Sequence, residues 1–172
     1  DQMAALELQE QWAAEHPDDI TAQQALADVY TQQGQVKNAI TQYQKVLEIQ
    51  KHNVVALNAL AWHLRDEQPA KALEYAVRAS ILAPKSTAVM DTLAVVMLKN
   101  GDVKGAKRNI EKVLAKMPKK PDFLYHHAMI DAAAGDKASA IKTLQALLGG
   151  EGGDFPEKAE AQQLLDQLQA GG

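Results

Sequence analysis

The sequence predicts an all-α protein assembled from successive antiparallel helix pairs, and three observations carry that prediction. Ala, Leu and Gln dominate while aromatic residues make up 5% of 172 residues, so strong helix formers outnumber the residues that favour strands. Alanines at Ala27, Ala61, Ala94 and Ala128 recur at steps of 34, 33 and 34, and a second series at Ala39, Ala72, Ala106 and Ala140 recurs at 33, 34 and 34. The positions closing each unit, Pro17, Lys51, Pro84 and Pro118, keep the same period, which marks a repeat array. Alanine at a helix crossing lets two backbones approach while larger apolar neighbours interlock. One such pair buries only part of its apolar face, so neighbouring pairs must stack to complete a core.

Taken in order, residues 1–17 read as one helix ending in "EHPDD", the second helix of a unit whose first helix is missing. A longer parent protein is expected from this, and the incomplete half-repeat offers apolar surface for self-association. Residues 20–53 form the first full pair, with Gly34 midway. Residues 54–86 form the second, in which "LNALAWHLRDEQPAKALEYA" sets Leu57, Leu60 and Leu64 at helical spacing. There Pro69 stands near the place where the other units have Gly34, Gly101 and Gly135. Proline has a fixed φ and no N–H, so it suits the first turn of a new helix, and a shortened turn is expected to account for the single 33-residue unit.

Residues 87–120 form the third pair, with Met90, Leu93 and Met97 on its first helix and "AKRNIEKVLAKM" as its second. Residues 121–154 form the fourth, opening on "DFLYHHAMID" and running out into "GGEGGD", a flexible link. Residues 155–170, "FPEKAEAQQLLDQLQ" onward, read as a capping helix with Pro156 near its first turn and Gln, Glu and Lys turned to solvent. About seven residues of polar or turn-forming character are expected between the two helices of a pair.

A period of 34 with two helices per unit, alanine at the crossings and proline at the unit ends resembles the tetratricopeptide repeat (TPR), over nearly the whole chain. The resemblance implies a right-handed superhelix whose first helices line a concave surface and whose second helices form the convex one. It implies ligand contacts from fixed positions of the first helices. In this chain those include Gln24, Asp28, Asn58, Trp62, Arg65, Asp91, Val95, Asp122, Tyr125, His126 and Met129. The Lys/Asn set with which some eukaryotic TPR proteins clamp a C-terminal carboxylate is missing at these positions, and the acidic Asp28, Asp91 and Asp122 stand among them.

Trp62 has two readings, a tryptophan half-buried against the adjacent repeat or an aromatic anchor for a partner segment. Asn58 lies one turn before it on the same face, either merely solvated or gripping both the donor and the acceptor of an extended peptide backbone. On the fourth repeat, Asp122–His126 and His127–Asp131 are both spaced i,i+4, so each aspartate can meet its histidine. His127 and Asp131 occupy positions that are large and apolar in the family. The pairs read as one buried and one groove-exposed polar pair rather than a metal site, because three or four converging ligands are needed for a metal.

Charge is unevenly spread. Residues 99–120 hold eight basic and two acidic side chains in a chain of net charge −4. Lys104, Arg108, Lys112 and Lys116 step by four along one helix. The stripe is either a solvated convex face or a docking strip for an anionic partner such as an acidic polysaccharide. Nucleic acid is not expected, since the chain is acidic overall and no aromatics interleave with the stripe.

No cysteine is present, which removes disulfides and thiol chemistry, and no phosphate-cradling Gly-rich loop, G-x-S-x-G or H-E-x-x-H occurs. A non-enzymatic protein with no cofactor is therefore expected. Apolar runs such as "LAVVML" are too short to cross a bilayer, and the N-terminus lacks the pattern of a signal peptide.

Beyond the generic repeat, "WAAEHPDD", the stretch from "LNALAWHLRDEQPAKALEYA" through "VMLKNGD", "YHHAMIDAAAGDKASAIKTLQALL" and "FPEKAEAQQLLDQL" together resemble one bacterial group. They are similar to the C-terminal part of the PEP-CTERM system TPR-repeat lipoproteins. That resemblance implies a periplasmic parent anchored to a membrane by lipid, with a role in exopolysaccharide or protein export. The chain departs from it at His127 and Asp131 and lacks a lipobox cysteine. The function expected is a protein–protein interaction scaffold that holds a partner segment in its groove.

Overall fold

The computed structural model describes residues 2–151 and 153–170, and among them there are ten α-helices and no strand. The helices are α1 (Gln2–Glu15), α2 (Ile20–Gln32), α3 (Val36–Ile49), α4 (Val54–Leu64), α5 (Pro69–Leu82), α6 (Thr87–Lys99), α7 (Val103–Lys116), α8 (Pro121–Ala133), α9 (Lys137–Ala146) and α10 (Lys158–Ala170). They fall into two compact units, the first ending at Ala83 and the second beginning at Pro84. In the first unit α2 packs with α3 and α4 with α5; in the second α6 packs with α7 and α8 with α9.

Local chemistry sets the helix starts. Asp19, Asn53, Ser86, Asp102 and Asp136 each accept a backbone N–H from the first turn of the helix that follows, which satisfies donors with no partner inside the helix. The two helices α5 and α8 instead begin with Pro69 and Pro121. The polar turns expected to run about seven residues are shorter, because helix extends into them on both sides. Three residues separate α2 from α3, α6 from α7, and α8 from α9.

Those three turns share one device. At Gly101 (φ +83°) the chain enters the left-handed region, and Asp102 N–H reaches back to Met97 C=O at 2.9 Å. Gln35 N–H to Tyr30 C=O and Asp136 N–H to Asp131 C=O repeat the bond, which closes the helix end and reverses the chain.

The expectation of a shortened turn at Pro69 is corrected. The turn from Arg65 to Gln68 has four residues, one more than the others, and α4 has 11 residues where α2, α6 and α8 have 13. The residue before a proline is pushed out of the helical region, and Gln68 sits at φ −136°, ψ 62°. Without a left-handed glycine the reversal takes more residues, and the first helix is what loses length.

The alanine series occupy the crossings. Ala27, Ala61, Ala94 and Ala128, with Ala39, Ala72, Ala106 and Ala140, are all fully buried. In the second unit Ala94 and Ala106 share a cluster with Met90, Ile110, Val113, Phe123 and Ile130. A second cluster joins Tyr125, Ala128, Ala140, Leu144 and Leu147 to Phe155, Ala161 and Leu165 of the C-terminal segment. The expected link is partly ordered. Leu147–Glu151 form one further wide turn, broken at Gly150 (φ +115°), while Gly152 lies outside the described residues. The cap helix begins at Lys158 rather than at 155, since Pro156 falls in the preceding turn.

Candidate functional site

In the first unit, α4 and the turn after it carry Asn58, Trp62 and Arg65 at i, i+4 and i+7, so one face presents all three. Each is half-buried. The Arg65 guanidinium stands 3.9 Å from the Trp62 ring centroid and donates through Nη1 to the Trp62 carbonyl at 2.7 Å. A guanidinium at this distance over an indole ring is attracted by the ring's negative face, which holds the two side chains together. Asp66 meets Arg65 Nε at 3.4 Å. Asn58 Oδ1 is buried with no hydrogen-bond partner among the described residues. A buried acceptor left in this state costs about 1–3 kcal/mol.

Asp28, on α2, is not an open groove charge: it accepts a hydrogen bond from the Tyr43 hydroxyl on α3. Burial and that bond push the Tyr43 hydroxyl up to about 12. Gln24 is half-buried on the same helix. On α4, His63 turns the other way, hydrogen-bonding to Thr31 Oγ1 at 3.1 Å, and burial together with the Arg65 charge lowers its pKa. The N-terminal helix α1 exposes Leu8 and Trp12, the latter stacked on His16 at 3.8 Å.

In the second unit the expected groove residues of α8 are not open. Tyr125 and His126 are buried, and Met129 packs on the cluster completed by the C-terminal segment. The cap covers the side that a repeat pattern alone leaves free. Asp91 and Val95 of α6 are buried as well.

The expected partner of His126 also changes. Its Nδ1 lies 2.8 and 2.9 Å from the two oxygens of Asp91, and its Nε2 lies 3.8 Å from Glu157 Oε1. Asp122 instead meets Lys120 Nζ at 3.4 Å. The pair expected to be exposed in the groove is thus replaced by a buried one between α6 and α8. Asp91 and His126 stand 35 residues apart, at neighbouring positions of successive first helices, a spacing that the i,i+4 rule does not examine.

His127 and Asp131 do approach, at 3.6 Å, with Asp131 buried. Asp131 is also held by Lys107 Nζ from α7 at 2.9 Å and by the Ser139 hydroxyl from α9 at 2.7 Å. Burial alone would raise its carboxyl; the hydrogen bonds from Lys107 and Ser139, with the His127 charge, outweigh that and hold it below the ordinary carboxylate range. Lys107 is correspondingly raised, chiefly by its bond to Asp131. Neither Lys107 nor Glu157 stood out in the sequence, since each meets a partner on another helix.

The basic stripe lies on α7, with Lys104, Arg108, Lys112 and Lys116 all exposed, and Lys116 Nζ donating to the Lys85 carbonyl at 3.2 Å. Among the described residues no three His, Asp or Glu side chains converge as a metal site requires, and no helix is long and apolar enough to cross a membrane.

A family model described as a TPR repeat matches residues 27–61. No curated protein matches the chain. Among solved structures, it is similar to PilW, described as a widely conserved type IV pilus biogenesis factor, with 18% identity, coverage of 99% of this chain and 84% of that one, and a TM-score of 0.75. It is similar to TTC0263, a TPR protein of Thermus thermophilus, with 17% identity, coverage of 98% and 91%, and a TM-score of 0.73. It is also similar to YrrB, described as a TPR protein with an unusual peptide-binding site, with 16% identity, coverage of 96% and 84%, and a TM-score of 0.66. The chain has the TPR fold of stacked helix pairs, and proteins with such repeats generally mediate protein–protein interaction.

Proposed function

We propose that this protein is a non-catalytic scaffold that binds a partner segment on the α4 face of its first unit, through Asn58, Trp62 and Arg65. The unpaired Asn58 carboxamide oxygen one turn from the Arg65–Trp62 stack is the observation that carries the reading. The last side-chain torsion of Asn58 is broad, and turned outward the amide would accept from a partner backbone N–H through Oδ1 and donate its own N–H to the partner C=O. The indole and guanidinium then receive a side chain of the segment. Gripping through the backbone leaves the partner's sequence largely free, and the stacked pair sets where an apolar or aromatic residue must fall.

The test is a peptide display library selected on the purified protein, with affinities read from indole fluorescence in a Trp12→Phe background, where Trp62 is the single tryptophan left. Binders are expected to lose at least about tenfold in affinity in Asn58→Ala and again in Trp62→Ala (the latter read by calorimetry). Unchanged affinity in both variants rejects the face. As a wider setting we propose a bacterial envelope assembly serving export or exopolysaccharide, with a periplasmic, lipid-anchored parent. The resemblance to PEP-CTERM system lipoproteins supports that setting, and a lipobox upstream in the gene would test it.

A second reading rests on the α7 stripe, whose four cations are all open to solvent. It makes the exposed face of α7 a binder of an anionic polymer or surface. Binding to alginate is then expected to weaken steeply as salt rises, because exposed charges are screened over roughly 10 Å at 0.1 M. Salt-insensitive binding, or binding that survives reversal of Lys104, Arg108, Lys112 and Lys116 to glutamate, rejects this reading.

A further inference from the structure

A cleft of about 750 Å³ opens in the second unit between the turn that joins α7 to α8 and the end of α9, and the binding reading does not use it. Leu147 is buried in its floor, and Leu124 of α8 is half-buried in its wall. Lys119 from the turn and Lys142 from α9 are exposed beside them. Neither lysine side chain has an ion pair or a hydrogen bond among the described residues. No aspartate or glutamate among those residues lines the cleft.

The hydroxyls divide in the same sense. Ser139 gives its proton to Asp131 at 2.7 Å, and Lys107 offsets the Asp131 charge from 2.9 Å. Thr143 lines the cleft half-buried, with a hydroxyl that has no partner among the described residues. Two unpaired cations and one spare donor therefore face an apolar floor.

The repeat register explains why the cleft is open. In the preceding repeat Lys116 Nζ donates to the Lys85 carbonyl at 3.2 Å, strapping the end of α7 to the turn before α6. The positions 34 residues further on are Lys119 and Gly150, and glycine has no side chain with which to make the strap. A Cβ placed on Gly150 meets nothing within 4 Å. In the first unit Pro17, Asp18 and Gln23 stand in the register of Pro118, Lys119 and Leu124, and with Glu48 they line a cleft of about 520 Å³. Its carboxylates repel an anion, and a glutamine replaces the apolar wall. The architecture supplies the space, and the last repeat supplies the positive charge and the apolar lining.

We propose that this cleft binds a small organic carboxylate carrying an apolar chain. Its head accepts charge-assisted hydrogen bonds from Lys119 and Lys142 and one from the Thr143 hydroxyl. Its chain leaves water against Leu124 and Leu147. The volume falls within the range of about 300–1,000 Å³ typical of small-molecule sites, which favours a whole small molecule over a length of polypeptide. The site belongs to the second unit and does not depend on the α4 face.

Titration of the isotopically labelled protein with octanoate, followed through its amide resonances, tests the assignment. Saturable shifts are expected at Leu124, Lys142, Thr143 and Leu147, with half-saturation at a few millimolar or below, as about ten non-hydrogen atoms allow. Acetate, which lacks the chain, and 1-octanol, which lacks the charge, are expected to shift the same amides at least about fivefold less. Lys119→Gln combined with Lys142→Gln is expected to weaken octanoate about tenfold, whereas Lys104→Gln combined with Arg108→Gln on the α7 stripe leaves it unchanged. Ala146→Phe, at an exposed position lining the cleft, is expected to abolish binding by filling the space and leaves both lysines in place. Absence of saturable shifts overturns the proposal, as does an equal response to 1-octanol or full affinity in the double lysine variant. A tripeptide acid ending in leucine that binds tenfold more tightly than octanoate also overturns it, in favour of a protein C-terminus.

Discussion

Replacing Lys107 by methionine is expected to destabilise the second unit by about 3 kcal/mol, although the lysine is one of many and its side chain is 37% exposed. The reason lies with its partner. Asp131 is 1% exposed and keeps its charge because Lys107 and Ser139 bond directly to it and His127 stands nearby. Removing one member of a buried pair leaves an uncompensated charge, which costs about 3–5 kcal/mol; the partial exposure of the lysine places this case at the lower end. The sign of the pH effect follows. The Asp131 carboxyl is lowered in the folded protein, so its contribution is present above the ordinary carboxylate range and is lost as pH falls through the lowered value. Urea unfolding followed by circular dichroism should show Lys107→Met well below the wild type at neutral pH, the two converging in acid. A variant within about 1 kcal/mol of the wild type at neutral pH would show that Ser139 and His127 suffice.

Ala94→Leu is expected to cost as much or to prevent folding of the second unit. Ala94 is fully buried in the cluster that holds Ala106 of α7, at the place where α6 and α7 approach. The added carbons have nowhere to go, and overpacking of a dense interior costs about 1–3 kcal/mol before any displacement of the helix is counted. Ala88→Leu, on the exposed side of the same helix, is the control and should change stability by less than about 0.5 kcal/mol. A loss in Ala94→Leu as small as that expected of the control, read by thermal unfolding, would mean that the crossing has slack the packing does not suggest.

The crossings were legible because alanine recurs with the period of the architecture, and every position of both alanine series is fully buried. Pro69 marks a helix start from its chemistry alone, whereas the length it removes from α4 is not visible in the sequence, because which side of a turn yields depends on where glycine is absent. The polar contacts were harder. Asp122 is the near neighbour of His126 in sequence, yet the histidine turns to Asp91, and Lys107 finds Asp131 from another helix. Local spacing ranks candidates along one helix; pairing in a stacked array is decided between helices. The repeat pattern sets Tyr125 and Met129 on an open face because it says nothing about how the last repeat is covered.

The division into two compact units has an optical consequence. Trp12 and Trp62 both belong to the first, and the second contains no tryptophan at all. Indole emission therefore follows residues up to Ala83, whereas helical ellipticity follows both halves. Stacked repeats lose structure stepwise when the bond between neighbours is weaker than the repeats themselves. The separation between the two denaturation curves of one unlabelled sample is then a direct measure of how strongly the halves melt together.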